Sequence, residues 1–574
     1  MLLLGLTSCT KNFNKLNINP EQYSSPDMEP VMSQVFKVTA DRMETENLTF
    51  FWDYQNIINA FGYDRYSTND DALWSDFYIK GLGNMYQLGK IYGTNPGYTN
   101  RNIIMDIWSC YLYSYLVGTY GPIPYSQAGT AASTIAYDDE NTIYTSLLNR
   151  LTKDYTSLNT TTGDKLSTDL IFNGNLTQWK KFANALRLRI AIRCQRNIPD
   201  LAVTTIKDVM AHEADLPTSD ADDAKLQYGT ATGSQSPYFL KYLNAVTANA
   251  NFPCMSDFFF TWMRSYKDPR MQAYFNSSAA GFSITDTLTT SADSYHHIVT
   301  YKIPYLGLPK ASTLLSTWGL LIQLYTGATQ TDSYSTLPGA NSKAPTTPTG
   351  INILAQDRPF YFMTYSEVCF LEAEAAQLGY GGAQTPDKYY YNGIKANLTL
   401  WGVTPAQVTA YEATPGIQWG STGTGFNYPL GIVNANVPAD NLFKIYLQEW
   451  LSSYPDGGFD AWCLFRRTIF LNIPPNTNPA TPNLSAQWGT LPDRWQYPTT
   501  ENASNPQGEQ GGVKLLGGAG DYPQTVLKFA KPYTPVNWGA AKAFYDYSEL
   551  EKWYGTTLES LRANNISYTE TGHY

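Results

Sequence analysis

Apolar residues recur at helical spacing through most of the first 215 residues of this chain. One stripe lies at 103–112, a second at 143–158 and a third at 179–191. Residues three and four apart share one face of an α-helix, so each stripe predicts an amphipathic helix that buries this face against a neighbour. The pattern therefore predicts a mostly α-helical protein in which helices pack in pairs.

The same periodicity predicts further helices along the rest of the chain. Their expected positions are about 30–46, 201–212, 366–379, 387–401, 405–413, 440–454 and 540–563, with Asp200 and Ser366 as N-caps.

Three long regions lack this periodicity and are rich in Thr, Ser, Gly and Asn. Loops of such length are uncommon unless they are functional, and these contain too many aromatic residues to be disordered. We therefore predict one domain, residues 30–574, in which loop-rich insertions project from a helical scaffold. The scaffold covers about 30–215, 359–470 and 540–563, and the insertions cover about 216–358, 414–438 and 471–540.

The composition favours a neutral polar ligand. Charged residues make up 15% of the chain, against about 25% in an average soluble protein. The 44 Tyr, 25 Phe and 14 Trp residues offer flat faces and hydrogen bonds without net charge. The net charge is −10 and no block of Lys and Arg occurs, so a nucleic-acid partner is excluded for want of phosphate contacts.

Motifs for catalysis and metal binding are missing from the sequence. The four His residues lack metal-ligand spacing, the Gly-rich stretches lack the ending of a phosphate-binding loop, and no nucleophile elbow occurs. We expect no metal, no cofactor and no catalytic residue. The acidic clusters leave one alternative open, a surface glycoside hydrolase with two convergent carboxylates. The clusters are Asp70–Asp71, Asp222–Asp223 and Glu372 with Glu374.

The first nine residues end in Leu6-Thr7-Ser8-Cys9, which resembles a bacterial lipoprotein box. We read residues 1–8 as the remnant of a signal and Cys9 as the lipidated residue. Residues 9–29 then form a tether. No run of eighteen apolar residues occurs, so membrane attachment is expected through the lipid.

Aromatic and short hydrogen-bonding residues alternate between Phe50 and Tyr78. Ring faces stack on the apolar face of a sugar or on a peptide side chain, while Asn and Asp bind polar groups. This segment is our first candidate for the ligand site.

Several ordered motifs resemble the SusD/RagB-like nutrient-binding outer-membrane lipoproteins of Bacteroidetes. In the segment at 118–128, Pro122 stands where the family usually has an acid. The helix at 178–193 is similar to the family's "W.KFANSLRLRLA.R" helix, and Asp268-Pro269-Arg270 to its "DPR" turn. Other matching segments are 13–20, 363–375, 391–398, 462–467 and 492–505.

This resemblance implies a tetratricopeptide-like scaffold of helical pairs with irregular insertions. It also implies a non-enzymatic surface lipoprotein that captures oligosaccharides, or in some members peptides. Its implied partner is a SusC-like TonB-dependent outer-membrane transporter, which the lipoprotein covers as a lid.

The family's ligand contacts lie on variable loops, so we choose candidate residues from local chemistry. From the first segment they are Tyr54, Tyr63, Tyr66, Asn69, Trp74 and Tyr78. A second group from the long insertion is Tyr295, His296 and Tyr301. The sequence leaves open whether the ligand is a glycan or a peptide.

Overall fold

The architecture is taken from a computed structural model of the full chain. It describes residues 26–59, 71–130, 132, 134–241, 254–275, 282–303, 305, 353–425, 435–471, 473, 491–517, 520–533, 557–563 and 566–574. Cys9, residues 10–25 of the predicted tether and most of the predicted helix at 540–563 lie outside these residues. The last two residues predicted for the tether, Met28 and Glu29, belong to the first helix.

The amino-terminal part is a succession of helices. They are α1 (Met28–Glu46), α2 (Asp71–Ser75), α3 (Asn84–Tyr92), α4 (Thr99–Tyr120), α5 (Glu140–Ser157), α6 (Leu176–Cys194) and α7 (Pro199–Ala211). Wider π-helical segments continue α1 over Asn47–Phe51 and α2 over Asp76–Gly83. Helix α5 packs against α4 and α6, and α6 packs against α7, as paired amphipathic faces require.

The remaining helices complete the scaffold. They are α8 (Asp257–Ser265), α9 (Met271–Tyr274), α10 (Tyr365–Gln377), α11 (Pro386–Leu400), α12 (Pro405–Glu412), α13 (Asn441–Ser452), α14 (Gly458–Thr468), α15 (Thr499–Ser504), α16 (Pro506–Leu515) and α17 (Leu558–Ala563). Helix α10 packs against α11 and α13. The prediction of a mostly α-helical fold is confirmed.

Short antiparallel sheets join distant parts of the chain. Strands β1 (Ile58–Asn59) and β5 (Cys254–Met255) pair, as do β2 (Ile123–Pro124) and β3 (Tyr137–Asp138), and β4 (Ala224–Gln227) and β8 (Pro359–Met363). The largest described sheet has the order β6 (Phe282–Leu288), β7 (His297–Ile303), β9 (Tyr568–His573). The carboxyl-terminal strand β9 is therefore attached to a hairpin from the long insertion.

The two predicted N-caps are each wrong by two residues, since the observed N-caps are Ile198 and Thr364. Helix α7 begins at Pro199, whose fixed φ suits the first helical position, and Asp200 lies in its first turn. Thr364 caps α10. Ser366 lies inside that helix, where its Oγ donates a hydrogen bond to the carbonyl of Gly393 in α11 at 2.9 Å.

The region predicted as the longest insertion contains helix α8 as well as the β6–β7 hairpin. The helix is only nine residues long, and every residue of 258–264 is buried. A stretch of this length gives a periodicity analysis few repeats to detect.

Aromatic packing forms the centre of the amino-terminal helices. Trp108 of α4 contacts Phe36 of α1 and Trp179 of α6, with ring centroids 4.7 and 6.1 Å apart. Both tryptophans are fully buried.

Among the described helices, none is long and apolar enough to span a bilayer.

Buried arginines on α6 join this layer to the carboxyl-terminal helices. Arg189 donates to both carboxylate oxygens of Glu367 in α10 at 2.6 Å. Arg193 pairs with Asp460 of α14, also at 2.6 Å. The Arg residues of the motif at 178–193 therefore hold three helices in a fixed arrangement.

Replacement of Arg189 by alanine tests this role. Arg189→Ala leaves Glu367 without its counter-ion in a mostly buried position, so we expect a loss of about 3–5 kcal/mol in the free energy of unfolding. Lys37→Ala is the control, since the Lys37–Asp41 pair lies on the surface and such pairs contribute about 0–1 kcal/mol. Chemical denaturation measures both, and equal losses would contradict the proposed role.

Candidate functional site

A cleft of about 780 Å³ lies between helix α2 with its π-helical extension, the loop between β2 and β3, and helix α15. We call it the Trp74 cleft. Its lining includes Asp71, Trp74, Ser75, Tyr78, Ile79, Tyr86, Pro124, Ala128, Gly129, Ile135, Thr500, Glu501, Ser504 and Asn505. These residues come from three segments that are far apart in the sequence.

Trp74 anchors the inner wall of the cleft. Its ring packs against Tyr78, Tyr120 and Tyr137, with centroids 4.6, 5.0 and 6.3 Å apart. Only 6% of Trp74 is exposed. Most of the indole surface is therefore committed to packing, and the ring presents a small area to the cleft.

The tyrosines beside Trp74 are neutral hydrogen-bonding groups. Tyr78 donates its hydroxyl to the carbonyl of Pro124 at 2.7 Å, and Tyr137 donates to Oε2 of Glu501 at 2.8 Å. Burial raises the pKa of both phenols above the ordinary value, and the nearby Glu501 carboxylate adds to this. Both stay protonated at physiological pH, which suits a neutral ligand.

Asn505 holds the loop that forms the opposite wall. Its Oδ1 accepts from the backbone N–H of Ile135 at 3.1 Å, and its Nδ2 donates to the Ile135 carbonyl at 2.9 Å. The hydroxyl of Thr499 donates to Oδ2 of Asp71 at 3.1 Å. These bonds fasten the segment at 499–505 to both other walls of the cleft.

The rim of the cleft carries an exposed apolar side chain. Ile79 is 68% exposed, the second highest value among the exposed large hydrophobic residues. Exposure of an apolar side chain to water is unfavourable in free energy, and a ligand that covers Ile79 would remove this cost. Ile79 offers a contact surface for the apolar face of a ligand.

A second cleft of about 520 Å³ adjoins the first at Tyr86, Ala128 and Gly129. Gly129 has a φ of +75°, and a Cβ there would lie 2.5 Å from the Tyr86 ring. Only glycine permits this close approach. The second cleft is more polar, since it is lined by Lys90, Asp106 and Arg150.

The nine predicted ligand residues lie in different parts of the structure, and only some of them line a cleft. Trp74 and Tyr78 both line the Trp74 cleft. Tyr295 and His296 are exposed beside β7 and line neither cleft. Tyr63, Tyr66 and Asn69 lie outside the described residues.

The remaining two residues, Tyr54 and Tyr301, lie in the core, with exposures of 0% and 1%. The hydroxyl of Tyr54 accepts a hydrogen bond from the indole N–H of Trp495 at 3.0 Å. Neither ring has a face open to solvent, because each is packed on all sides. We leave both out of the candidate site.

Sequence reasoning missed Ile79, Tyr86, Glu501 and Asn505. Glu501 and Asn505 belong to the segment 492–505, which we interpreted only as a matching segment of the resembled family. Their contacts with Tyr137 and Ile135 cross more than 360 residues of sequence. A periodicity analysis detects local neighbours and has no signal for such contacts.

The acidic clusters that left a glycoside hydrolase as an alternative function make contacts within the fold. Asp222 pairs with Lys181, Asp223 accepts from the backbone N–H of Tyr365, and Glu374 pairs with Arg467. Glu372 is buried in α10, and burial raises its pKa to about 8, with Glu213 adding to the shift. Asp71 lines the Trp74 cleft, and Asp70 lies outside the described residues.

The buried carboxyl of Glu372 predicts a pH-dependent stability. A carboxyl whose pKa is raised in the folded state binds more protons when folded, so stability falls as pH rises from about 4.5 to about 8. Glu372→Gln removes this contribution. The variant is expected to gain stability over the wild type across that window, with a difference that grows by up to about 1.4 kcal/mol per pH unit. Denaturant titrations at pH 5, 6.5 and 8 measure it, and a constant difference would contradict the assignment.

Comparisons with known proteins agree on one family. A model of the SusD-like family, described as starch-binding and associating with the outer membrane, matches residues 17–300 and 323–498. No curated protein matches the chain.

Solved structures resemble this fold over most of its length. A chitin-binding SusD homologue from Flavobacterium johnsoniae has 21% identity and a TM-score of 0.66, covering 88% of this chain and 99% of that chain. A SusD homologue from Bacteroides uniformis has 22% identity, the same coverage and the same TM-score. A SusD-like protein from Bacteroides thetaiotaomicron has 20% identity and a TM-score of 0.64, again with 88% and 99% covered. At these identities the likeness establishes the fold.

Proposed function

Because this chain belongs to the SusD-like family, described as starch-binding and associating with the outer membrane, we propose that it binds oligosaccharides in the Trp74 cleft. It holds them without cleaving a bond and passes them to a SusC-like TonB-dependent transporter. The observation that carries the binding proposal is the cleft itself, in which aromatic and aliphatic surface lies beside hydrogen-bonding groups.

The chemistry of the cleft is complementary to a sugar. A pyranose ring has an apolar face, which the exposed side chain of Ile79 and the ring of Tyr86 can cover. Its hydroxyls need donors and acceptors, which Glu501, Ser504 and Asn505 supply. Such contacts bind a neutral oligomer without a counter-charge.

The size of the cleft is appropriate for a short stretch of oligosaccharide. Its volume of about 780 Å³ lies within the range of about 300–1,000 Å³ for small-ligand sites. The adjoining cleft of about 520 Å³ provides room for a longer chain to continue past Tyr86. The description of the family as starch-binding favours a glycan over a peptide.

The transporter partnership completes the proposal. A lipid on Cys9 would hold the protein at the outer membrane, facing the cell surface, with residues 9–29 as the tether. From there the protein would cover the transporter as a lid and release its cargo into it. The family's description as associating with the outer membrane supports this location.

Ile79→Ser tests the ligand site. Since Ile79 is exposed, its replacement leaves the core intact, and we expect oligosaccharide binding to weaken about 5–30-fold through loss of apolar contact. Ile91→Ser is the matched control, because Ile91 is also an exposed isoleucine but does not line the cleft. Calorimetry with starch and chitin oligosaccharides measures the dissociation constants.

These two variants are better probes than Trp74→Ala. Truncation of the packed indole would leave a cavity and cost about 3–5 kcal/mol of stability, so a loss of binding would have two causes. If Ile79→Ser and Ile91→Ser bind with the affinity of the wild type, the Trp74 cleft is not the ligand site.

The purified wild-type protein, incubated with starch and chitin oligosaccharides, is expected to leave their length unchanged. Shortened products would favour a hydrolase.

Cys9→Ser tests the anchor. In a host that processes lipoproteins, the wild type is expected to incorporate labelled palmitate, to sediment with the outer membrane and to co-purify with a barrel transporter. Cys9→Ser removes the thiol that carries the lipid and abolishes labelling. Ser8→Ala is the control, since it retains a small residue before the cysteine. Equal labelling of both variants would contradict the assignment of Cys9.

A further inference from the structure

Two neighbouring helices bring three side chains that can bind a metal together beside the second cleft. Asp106 and Cys110 lie four residues apart, on the same face of α4. Asp154 belongs to α5, which packs against α4. One oxygen of each carboxyl group and the Sγ of Cys110 all lie within 4.8 Å of one another. These three atoms could therefore contact one ion.

Their spacing is close to the spacing that a single ion imposes. Zn²⁺ forms bonds of about 2.0–2.2 Å to carboxylate oxygen and about 2.3 Å to thiolate sulfur, so neighbouring ligand atoms of a tetrahedral site lie roughly 3.3–3.6 Å apart. Small rotations of the Asp106 and Asp154 side chains would bring their oxygens to this distance from Sγ. The geometry therefore suits an ion that accepts both sulfur and oxygen ligands.

A buried carboxyl oxygen of the cluster has no protein partner. Asp154 is only 4% exposed, and its Oδ2 makes no hydrogen bond within the part of the chain that the structure describes. Leaving a buried polar atom without a partner is unfavourable, and such atoms are rare in folded proteins. A cation bound between Asp154, Asp106 and Cys110 would supply this partner.

The charge of the cluster matches that of a dication. The carboxylates of Asp106 and Asp154 and the thiolate of Cys110 would carry three negative charges, and the guanidinium of Arg150 carries one positive charge beside them. Two negative charges remain. A buried excess of this kind is costly unless a cation compensates it, and one divalent ion would do so completely.

Arg150 holds one of the ligands in place. Its Nε donates to Oδ2 of Asp106 at 3.2 Å, and its Nη2 donates to Oδ1 of the same carboxylate and to the hydroxyl of Ser109. Carboxylates that bind a metal are commonly hydrogen-bonded in this way, which fixes their orientation. A carboxylate has about four lone-pair sites, so Asp106 can accept from Arg150 and still bind an ion.

The protonation of the cluster is also consistent with an ion site. Burial raises the pKa of Asp154, and the nearby Asp106 carboxylate adds to this; burial likewise raises the pKa of the Cys110 thiol. Without an ion, both groups therefore hold their protons. A bound dication reverses this preference, because it displaces the protons of its ligands and deprotonates even a thiol.

We propose that Asp106, Cys110 and Asp154 bind a divalent transition metal such as Zn²⁺, with Arg150 orienting Asp106. The ion would enter from the second cleft, since Asp106 lines that cleft and its side chain is 39% exposed. Water would complete the coordination on this side. The ion would join α4 to α5 and stabilise one wall of the second cleft. The sequence predicts no metal because the third ligand comes from a different helix, which no local spacing reveals.

The test is a metal titration of the full-length, metal-free, reduced protein. Calorimetry with Zn²⁺ is expected to show one equivalent bound. Absorption spectroscopy with Co²⁺ in place of Zn²⁺ is expected to show a charge-transfer band from sulfur to the metal, which requires a thiolate ligand. Exposed histidines that bind these ions loosely do not produce this band.

Two variants remove a ligand each. Cys110→Ala is expected to abolish the charge-transfer band, and Asp154→Asn is expected to weaken Zn²⁺ binding about tenfold or more, since loss of an outer-shell partner alone costs 10–100-fold. Asp154→Asn keeps the shape of the side chain and therefore tests the site even if Cys110→Ala fails to fold. Cys194→Ala is the matched control, because Cys194 is also a free, fully buried cysteine on a helix but does not belong to the cluster. It should retain both the band and the affinity.

Three results would overturn the proposal. The first is that the wild type binds Co²⁺ without the charge-transfer band, or binds neither ion. The second is that Cys194→Ala loses the band as Cys110→Ala does, which would indicate a general effect of losing a buried cysteine. The third is unchanged Zn²⁺ affinity in Asp154→Asn. None of these measurements involves an oligosaccharide, so their outcome is independent of the proposed function.

Discussion

Ion pairs between buried arginines and carboxylates are the interaction on which the arrangement of the helices depends. Arg189 and Arg193 connect α6 to α10 and α14, and Arg467 connects α14 back to Glu374 of α10. Arg358, before β8, pairs with Glu44 of α1 and with Asp456. A buried charge is costly without its partner, so a different stacking of these helices would leave charges uncompensated. Apolar packing supplies the bulk of the driving force for folding. The ion pairs favour one arrangement of the packed helices over others.

Hydrogen bonds from buried side chains to backbone carbonyls position the Trp74 cleft. Nε of Arg494, which is fully buried, donates to the carbonyl of Tyr120 at the end of α4 at 3.0 Å. The hydroxyl of Tyr497 donates to the carbonyl of Pro122 at 2.7 Å. These bonds bring the segment at 491–497 to the end of a rigid helix, so that α15 arrives beside Trp74. The cleft is thus built on the scaffold, although its walls come from loops and short helices.

The sequence by itself determined the helical class of the fold, the bounds of six helices (α1, α7 and α10–α13) to within two residues, and the family, because these depend on local periodicity and on ordered motifs. It also pointed to Trp74 and Tyr78, which lie in one aromatic segment. Only the tertiary structure decided that Tyr54 and Tyr301 are core residues and that Ile79, Glu501 and Asn505 share a cleft with Trp74. Likewise, only strand pairing between 297 and 573 brings two histidines together. Exposure and proximity across hundreds of residues arise from packing, and no local pattern in a sequence encodes them.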